Sequence, residues 1–253
     1  MDVKIVKNTH NFSAIFTARS NAFSPLLSTI TPFCSARIFA SSSKAEFSVR
    51  SMQAIALTDH NSCQNCGAAM RAGEEAGITV IPGMELCTSE EVHVVCLFEE
   101  LKAAEEFSDY VLSTVPPIKN RPEIFGTQLI MDHTDQVLAS QDILLTTASG
   151  ISISNVEKLV DGYGGVCYPA HIDRSSYSVI SNLGMITPEM GFEIAEISTS
   201  GDLDKMIAAH PILSEMKILT SSDAHRLESL PPANLSLHTE CDIKSIIRHL
   251  KNR

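Results

Sequence analysis

The chain has 253 residues, a formal net charge of −11 and a mean hydropathy of +0.08. This length suffices for one large α/β domain, and no uninterrupted apolar run of about 18 residues is available to span a membrane. The acidic balance argues against general affinity for nucleic-acid phosphates. We therefore expect neither a membrane nor nucleic acid as a structural partner.

The first part of the chain differs in composition from the rest. Residues 1–50 hold six basic and two acidic residues, together with nine serines and six of the ten phenylalanines. Such an arginine- and serine-rich, acid-poor start resembles an organelle transit peptide, and a mistranslated (frameshifted) or divergent N-terminus would look the same. We predict that residues 1–51 are a divergent, poorly ordered segment and that residues 52–253 form the folded domain.

From residue 52 onward, short β-like runs alternate with helical stretches. The apolar periodicity predicts, in order, a strand at "QAIALTDH", a helix at "CGAAMRAGEEAG", strands at "ITVIPGMEL" and "EVHVVCLF", and a helix at "ELKAAEEFSDYVLSTV". A hairpin at "TQLIMDHTDQVLAS" and a helix at "ISNVEKLVDGYGG" follow.

The alternation then resumes through a strand at "GVCYPAH", a polar helical region, a strand at "AEIST", a helix at "DLDKMIAAH", a strand at "MKILTSSDAH" and a last helix at "DIKSIIRHLKN". Near-continuous apolar strands alternating with helices are typical of a mainly parallel sheet in an α/β fold.

The seven cysteines do not indicate a disulfide framework. Their number is odd, and the chain is too long to need disulfide staples, so we expect reduced thiols and a cytoplasmic location. Cys63 and Cys66 form a C-x-x-C that is either a zinc half-site or redox pair, or two small residues packed at the start of a helix. No second C-x-x-C supports zinc.

Several potential metal ligands stand where predicted strands end. His60, Glu85 and His171 end three of these strands, and Asp223 and His225 end a fourth. Residues i and i+2 of an extended strand face the same side, so Asp223 and His225 can converge if the strand continues that far. The carboxyl ends of parallel strands lie on one side of an α/β fold. A single histidine or carboxylate at a strand end more often has a structural role. Five of them at the ends of four strands predict a metal site.

The types of side chain indicate which metals would bind. Imidazoles and carboxylates without obligatory thiolates suit Zn²⁺, Mn²⁺ or Fe²⁺, and a bridging carboxylate such as Glu85 can hold two ions about 3.5–4 Å apart. Metal-bound water has a pKa near about 7 and supplies hydroxide at neutral pH. The expected chemistry is hydrolysis. His93 lies inside its predicted strand, so this geometric argument supports it less well.

Five short motifs carry a resemblance to a known family. "LTDHN", "PGMEL", "VHVVCLF", "YPAHIDR" and "TSSDAH" occur in the order and context found in the polymerase-and-histidinol-phosphatase (PHP) phosphoesterases. The resemblance covers roughly residues 52–253. It implies a distorted (β/α)7-type barrel that holds two or three divalent metals and cleaves phosphate esters, and the chain looks most like the stand-alone small-molecule phosphatases.

The resemblance also implies roles for particular residues. Its metal ligands would be His60, Glu85, His93, His171, Asp223 and His225. Glu85 would bridge the metals and, with Asp223, would serve catalysis, while Asp59 would support the ligands from behind. Arg174 follows His171 closely enough to contact a phosphate, although a solvated arginine is an equal interpretation.

The chain departs from the PHP pattern at its start. The family's first strand normally carries a His-x-His motif followed by another ligand, whereas residues 1–51 contain only His10. Three expected ligands are therefore absent, and the first barrel strand is either missing or divergent. Two hypotheses follow. The chain is a metal-dependent phosphoesterase for a small phosphorylated metabolite or nucleotide, with activity reduced by fewer ligands, or it is a catalytically inactive metal- or ligand-binding domain.

Overall fold

The computed structural model describes residues 2–3, 7–8, 53–225 and 237–252. Its strands are β1 (Asp2–Val3), β2 (Lys7–Asn8), β3 (Ala54–His60), β4 (Thr79–Cys87), β5 (His93–Leu97), β6 (Leu129–Met131), β7 (Val137–Ser140), β8 (Val166–Pro169), β9 (Ile194–Ser198), β10 (Lys217–Ser221) and β11 (Leu237–His238).

The helices are α1 (Cys66–Ala76), α2 (Leu101–Thr114), α3 (Pro122–Phe125), α4 (Ile153–Gly162), α5 (Val179–Leu183), α6 (Leu203–Ala209) and α7 (Ile243–Lys251), with 3₁₀ turns at Pro188–Met190 and Pro211–Glu215. Every element predicted from residue 52 onward has a counterpart in the described part of the chain. Gly77 ends α1 in the left-handed conformation, at a φ of 73°.

The largest sheet has five strands in the order β2-β3-β4-β5-β8. Strands β2, β3 and β4 run parallel, whereas β5 runs antiparallel to both β4 and β8. Strand β8 therefore points the same way as β2, β3 and β4, and of these five strands β5 departs from the expected parallel arrangement. Only residues 88–92 connect β4 to β5, and a parallel crossover needs about a dozen residues or more.

The remaining strands pair separately. Strands β9 and β10 form a parallel pair, β6 and β7 form the predicted hairpin, and β1 pairs antiparallel with β11. The fold is thus mixed α/β, as expected, but hydrogen bonding among the described strands does not join these sheets into a closed barrel. The (β/α)7-type barrel is not confirmed.

The five-stranded sheet is buried on both faces. On β5, Val94 and Cys96 belong to a core that includes side chains of α1, α2 and α4, while Val95 and Leu97 belong to a second core that includes α7. Alternate residues of one strand point to opposite faces, so both faces are apolar. This explains why the strand sequences are nearly continuous apolar runs.

A short part of the N-terminal segment belongs to the sheet. Lys7 and Asn8 of β2 lie opposite Ala56 and Leu57 of β3 in a parallel pairing. A strand therefore lies on the side of β3 where a first strand was expected. Apart from Asp2–Val3 and Lys7–Asn8, residues 1–51, including His10, lie outside the described residues, so the poor order of that segment and the domain boundary stay predictions.

The two cysteines of the C-x-x-C pack in the core. Cys63 and Cys66 are buried, and their thiols donate to the carbonyl oxygen of Gly83 at 3.2 and 3.4 Å. Burial, and next the hydrogen bond with Cys66, raise the pKa of the Cys63 thiol. A buried, protonated thiol reacts poorly. The geometry supports the interpretation that Cys63 and Cys66 are small residues packed at the start of α1.

Within the described ranges, no helix combines the length and apolar character that crossing a membrane requires.

Candidate metal centre

Three strands of the five-stranded sheet bring the first potential ligands together. His60 is the last residue of β3 and lies opposite Glu85 of β4. Strand β5 reverses direction, and its first residue, His93, lies opposite Cys87 at the same edge. The sequence argument placed these ligands at the correct edge of the sheet. It expected Glu85 to end its strand and His93 to lie inside its strand, whereas Glu85 lies inside β4 and His93 is at this edge because β5 is antiparallel.

The carboxylate of Glu85 stands among three imidazoles. Its side chain is 2% exposed, and Oε2 lies 3.4 Å from Nδ1 of His60 and 3.4 Å from Nδ1 of His93. Its other oxygen, Oε1, lies 3.5 Å from Nε2 of His171. That nitrogen is also 3.3 Å from Nδ1 of His93. Four side chains therefore direct nitrogen and oxygen atoms at one small volume.

These separations fit a divalent metal ion. Two ligand atoms that are each about 2.1 Å from a tetrahedral ion lie about 3.4 Å apart. The imidazole–carboxylate distances match this value and exceed the usual N–H···O length of about 2.9 Å. One donor atom each from His60, Glu85 and His93 lies within 4.8 Å of the others. The donor set, imidazole with carboxylate, suits zinc, manganese or iron.

Loop residues supply the other side of the site. His171 follows β8 with a φ of 32°, and Asp223 follows β10 with a φ of 47°. A positive φ is uncommon for residues other than glycine and persists only where the surrounding structure requires it. Strand β10 ends at Ser221, so the expectation that an extended strand continues through Asp223 and His225 is wrong. A turn in the backbone positions these two side chains instead.

Arg174 and His225 both contact Asp223. Its Oδ2 accepts a charge-assisted hydrogen bond from Nη1 of Arg174, and its backbone oxygen accepts from Nδ1 of His225 at 2.7 Å. A carbonyl oxygen can only accept, so Nδ1 of His225 carries the proton and the lone pair of the neutral ring lies on Nε2. Arg174 is 41% exposed, which is consistent with contact to both Asp223 and a ligand.

All six predicted ligands and Arg174 line one cavity, which we call the metal cavity. Its volume is about 310 Å³, and its walls are completed by Thr146, Ser176 and Tyr177. Sequence reasoning missed these three. The only signal for Ser176 and Tyr177 is that they follow closely on "YPAHIDR".

Tyr177 supports His93 directly. The two rings stack with centroids 4.6 Å apart at 21°, and the backbone oxygen of Tyr177 accepts from the His93 N–H at 2.9 Å. Tyr177 has a φ of 53°, unusual for a bulky residue. The stacking fixes the ring plane of a candidate ligand.

Asp59 lies beside the metal cavity and lines a neighbouring one. Burial raises the pKa of its carboxyl to about 6, although the hydrogen bond that Asn65 Nδ2 donates at 3.3 Å lowers it in part. Asn65, which precedes α1, thus holds the side chain of Asp59, the residue immediately before His60.

Comparisons with known proteins place the fold. No protein-family model matches the chain, and no curated protein matches it. Among solved structures, Endonuclease Q from Pyrococcus furiosus aligns with a TM-score of 0.60 at 13% identity, over 99% of this chain and 56% of that one. A putative metal-dependent phosphoesterase from Bifidobacterium adolescentis aligns with a TM-score of 0.53 at 15% identity, over 92% and 90% of the two chains. The chain has a PHP-type fold.

A third alignment also covers nearly the whole chain. An amidohydrolase from Chromobacterium violaceum, crystallised with sulfate and without metal, aligns with a TM-score of 0.54 at 17% identity, over 98% of this chain and 96% of that one. The chain spans little more than half the length of Endonuclease Q. A second structure of that enzyme is a complex with a 27-mer duplex, so the expectation of no nucleic-acid partner is not supported.

Proposed function

We propose that this chain is a metal-dependent phosphoesterase that hydrolyses a small phosphorylated metabolite or nucleotide. The observation that carries the proposal is the buried carboxylate of Glu85, placed 3.4–3.5 Å from the imidazoles of His60, His93 and His171. Removing a carboxylate from water is costly unless positive charge lies nearby. A divalent ion among these side chains supplies that charge.

The two oxygens of Glu85 suggest how the ligands divide. Oε2 faces His60 and His93, while Oε1 faces His171. His60 and His93 would hold one ion, and His171, with Asp223 and His225 of the same cavity, would hold a second, so that Glu85 bridges the two. Bound zinc, manganese or iron would lower the pKa of a coordinated water toward about 7 and neutralise phosphate charge.

Arg174 is the proposed phosphate-binding residue. It uses Nη1 to hold Asp223, and a guanidinium has five N–H donors in a planar fork. Its partly exposed side chain lines the metal cavity, so other N–H groups can donate to phosphate oxygens. Asp223 would then orient Arg174 and bind metal at once, one oxygen for each task.

The neighbours support the reaction class without deciding the substrate. They comprise a putative phosphoesterase, an amidohydrolase and an endonuclease. We further propose that the strands follow a distorted (β/α)7-type barrel order with β2 as a divergent first strand, and that the protein acts in the cytoplasm. One observation favours the inactive binding domain instead: β2 carries Lys7 and Asn8 in its described residues and supplies no imidazole there.

The test combines metal content with hydrolysis. Protein expressed with added Mn²⁺, Zn²⁺ or Fe²⁺ should contain metal by elemental analysis. It should slowly release phosphate from some member of a panel of sugar, nucleotide and amino-alcohol phosphates, and a chelator should abolish the release. Duplex DNA with an abasic lesion belongs in the panel, because a neighbour acts on that substrate.

A matched histidine pair provides the control. His93→Gln removes an imidazole beside Glu85, whereas His133→Gln changes a histidine whose contact is Glu75 on the protein surface. Only His93→Gln should reduce metal content and hydrolysis. Full metal content without hydrolysis of any substrate would favour the binding-domain alternative, and absence of metal would disprove the ligand assignment.

A further inference from the structure

A second cavity adjoins the metal cavity. It has a volume of about 270 Å³ and lies between the end of β3, the start of α1 and residues 118–146, which interrupt the strand–helix alternation between α2 and α4. His60 and Thr146 line both cavities. We call the second cavity the insertion pocket. The two cavities are therefore adjacent at His60 and Thr146.

Asparagines next to the metal site hold the insertion in place. Nδ2 of Asn61 donates to the backbone oxygens of Leu145 and Thr147, each at 2.8 Å. Nδ2 of Asn65 donates to the oxygen of Leu129 at 3.1 Å, and its Oδ1 accepts from the N–H of Met131 at 3.0 Å. The wall of the insertion pocket is therefore fixed relative to His60, one residue before Asn61.

The principal amides of this pocket are occupied by the protein itself. Besides Asn65, Gln128 donates from Nε2 to the backbone oxygens of Gln141 and Ile143 at 2.9 and 2.7 Å, and its Oε1 accepts from the N–H of Leu145 at 2.9 Å. These amides build the wall and do not recognise a ligand. What the wall offers a ligand is mainly apolar surface.

Part of that apolar surface is exposed to solvent. Ile124 and Phe125, both in α3, are 50% and 47% exposed and line the insertion pocket. Leu129, Ile130 and Leu145 line it as well. Exposed apolar area costs about 25 cal/mol per Å², and a cluster of it beside a polar cavity is typical of a ligand site. At about 270 Å³ the pocket lies just below the range for small-molecule sites, about 300–1,000 Å³.

We propose that the insertion pocket binds the apolar or aromatic part of a substrate whose phosphate lies in the metal cavity, and that Phe125 determines this preference. The inference rests on the proposed phosphoesterase function. It predicts that phosphate esters of aromatic or flat apolar alcohols are preferred over those of small polar alcohols. The phosphate would lie near Arg174, and the leaving group would pass His60 toward Phe125.

The test compares two phosphate esters and three proteins. Metal-loaded parent, Phe125→Ala and Leu138→Ala are assayed with 1-naphthyl phosphate and glycerol 2-phosphate. Leu138 is the matched control, because it is 65% exposed on β7 of the same insertion but lines neither cavity. We expect the ratio of kcat/KM for the naphthyl ester to that for the glycerol ester to fall at least about tenfold in Phe125→Ala only. Phe125→Leu should retain part of the ratio.

A binding measurement separates this inference from the proposed function. The dissociation constant of 1-naphthylphosphonate, which has no ester bond to cleave, is measured by calorimetry with metal-loaded protein and should rise about tenfold in Phe125→Ala. If the parent hydrolyses both esters but Phe125→Ala changes neither ratio nor affinity, the pocket assignment is wrong and the phosphoesterase stands. If the parent hydrolyses neither ester but binds the phosphonate through Phe125, the pocket stands alone. A parent that does not bind the phosphonate overturns the pocket assignment.

Discussion

The two sides of the metal cavity are built by different means. On one side, His60, Glu85 and His93 lie on hydrogen-bonded strands, and the register of β3, β4 and β5 determines where each side chain points. On the other side, Asp223 and His225 lie beyond the end of β10. There, a backbone turn at a φ of 47° and the contact with Arg174 determine the geometry.

The difference teaches where preorganisation comes from. Strand register is maintained by many backbone hydrogen bonds, so the strand side should keep its shape when metal is removed. The loop side depends on an ion pair and one backbone contact, both of which share atoms with the proposed metal ligands. We therefore expect metal affinity to depend more on the strand side, and the following changes test that expectation.

Glu85→Gln should have the largest effect, because it removes the negative charge that lies between the three imidazoles while keeping the shape of the side chain. Metal affinity should fall by at least about 100-fold, measured by competition with a zinc indicator. Glu106→Gln, on the exposed face of α2, should match the parent. Parental affinity in Glu85→Gln would mean that the strand side is not the metal site.

Asn61→Ala should cost the metal-free protein about 2–3 kcal/mol of unfolding free energy. The amide makes three hydrogen bonds, to the N–H of Cys87 and the oxygens of Leu145 and Thr147, and its φ is 48°. Chemical denaturation measures the loss. Asn61→Gly accepts the positive φ and should lose less, while the exposed Asn155→Ala should lose little. Equal losses in the alanine and glycine variants would mean that relief of the positive φ does not exceed the entropy that glycine adds to the unfolded chain.

Asp223→Asn should weaken metal binding by about tenfold, less than Glu85→Gln, because the imidazoles beside Glu85 remain. The same indicator competition measures this change, and Asp204→Asn, exposed in the first turn of α6, is the control. If Asp223→Asn is as severe as Glu85→Gln, the two sides contribute equally and the comparison drawn above fails.

Glu90 lies in the turn that returns the chain to His93. Glu90→Gln should have the smallest effect, a loss of under about 1 kcal/mol of unfolding free energy. Burial raises the pKa of the Glu90 carboxyl. Hydrogen bonds from Ser152 Oγ at 2.7 Å and the Ile153 N–H at 3.0 Å lower that pKa, and together the hydrogen bonds of this carboxyl outweigh burial, so the net shift is downward. The ionised carboxylate thus supports the start of α4.

The pH dependence of this last effect has a definite sign. A lowered folded-state pKa adds stability above the ordinary carboxyl pKa of about 4.3, and the gain is lost as pH falls through the lowered value. The stability difference between parent and Glu90→Gln should therefore be present at pH 7 and vanish in acid, as measured by thermal unfolding across pH. A difference that persists unchanged at low pH would contradict the role of charge.

The sequence was sufficient to predict the helices and strands and the edge of the sheet where the ligands meet. It was not sufficient to predict the strand direction and backbone turns that place the ligands there. Apolar periodicity reports which faces are buried and carries no information on strand direction, so the reversal of β5 was not predicted, and His93 was proposed as a ligand from the family resemblance alone. Only the short link at residues 88–92 indicated the reversal. Likewise, the residue types of "TSSDAH" predict an extended strand. The positive φ of Asp223 was not predicted, because Asp223 is held by Arg174, which is distant in sequence.

The antiparallel pairing of β4 with β5 also bears on how the protein folds. Glu85 and His93 both belong to one hairpin, Thr79 to Leu97, which needs only a short loop to close. Hairpins form in about 1–10 μs, whereas the parallel pairing that adds His60 must wait for α1 to cross over. A carboxylate and an imidazole are thus available together at an early stage.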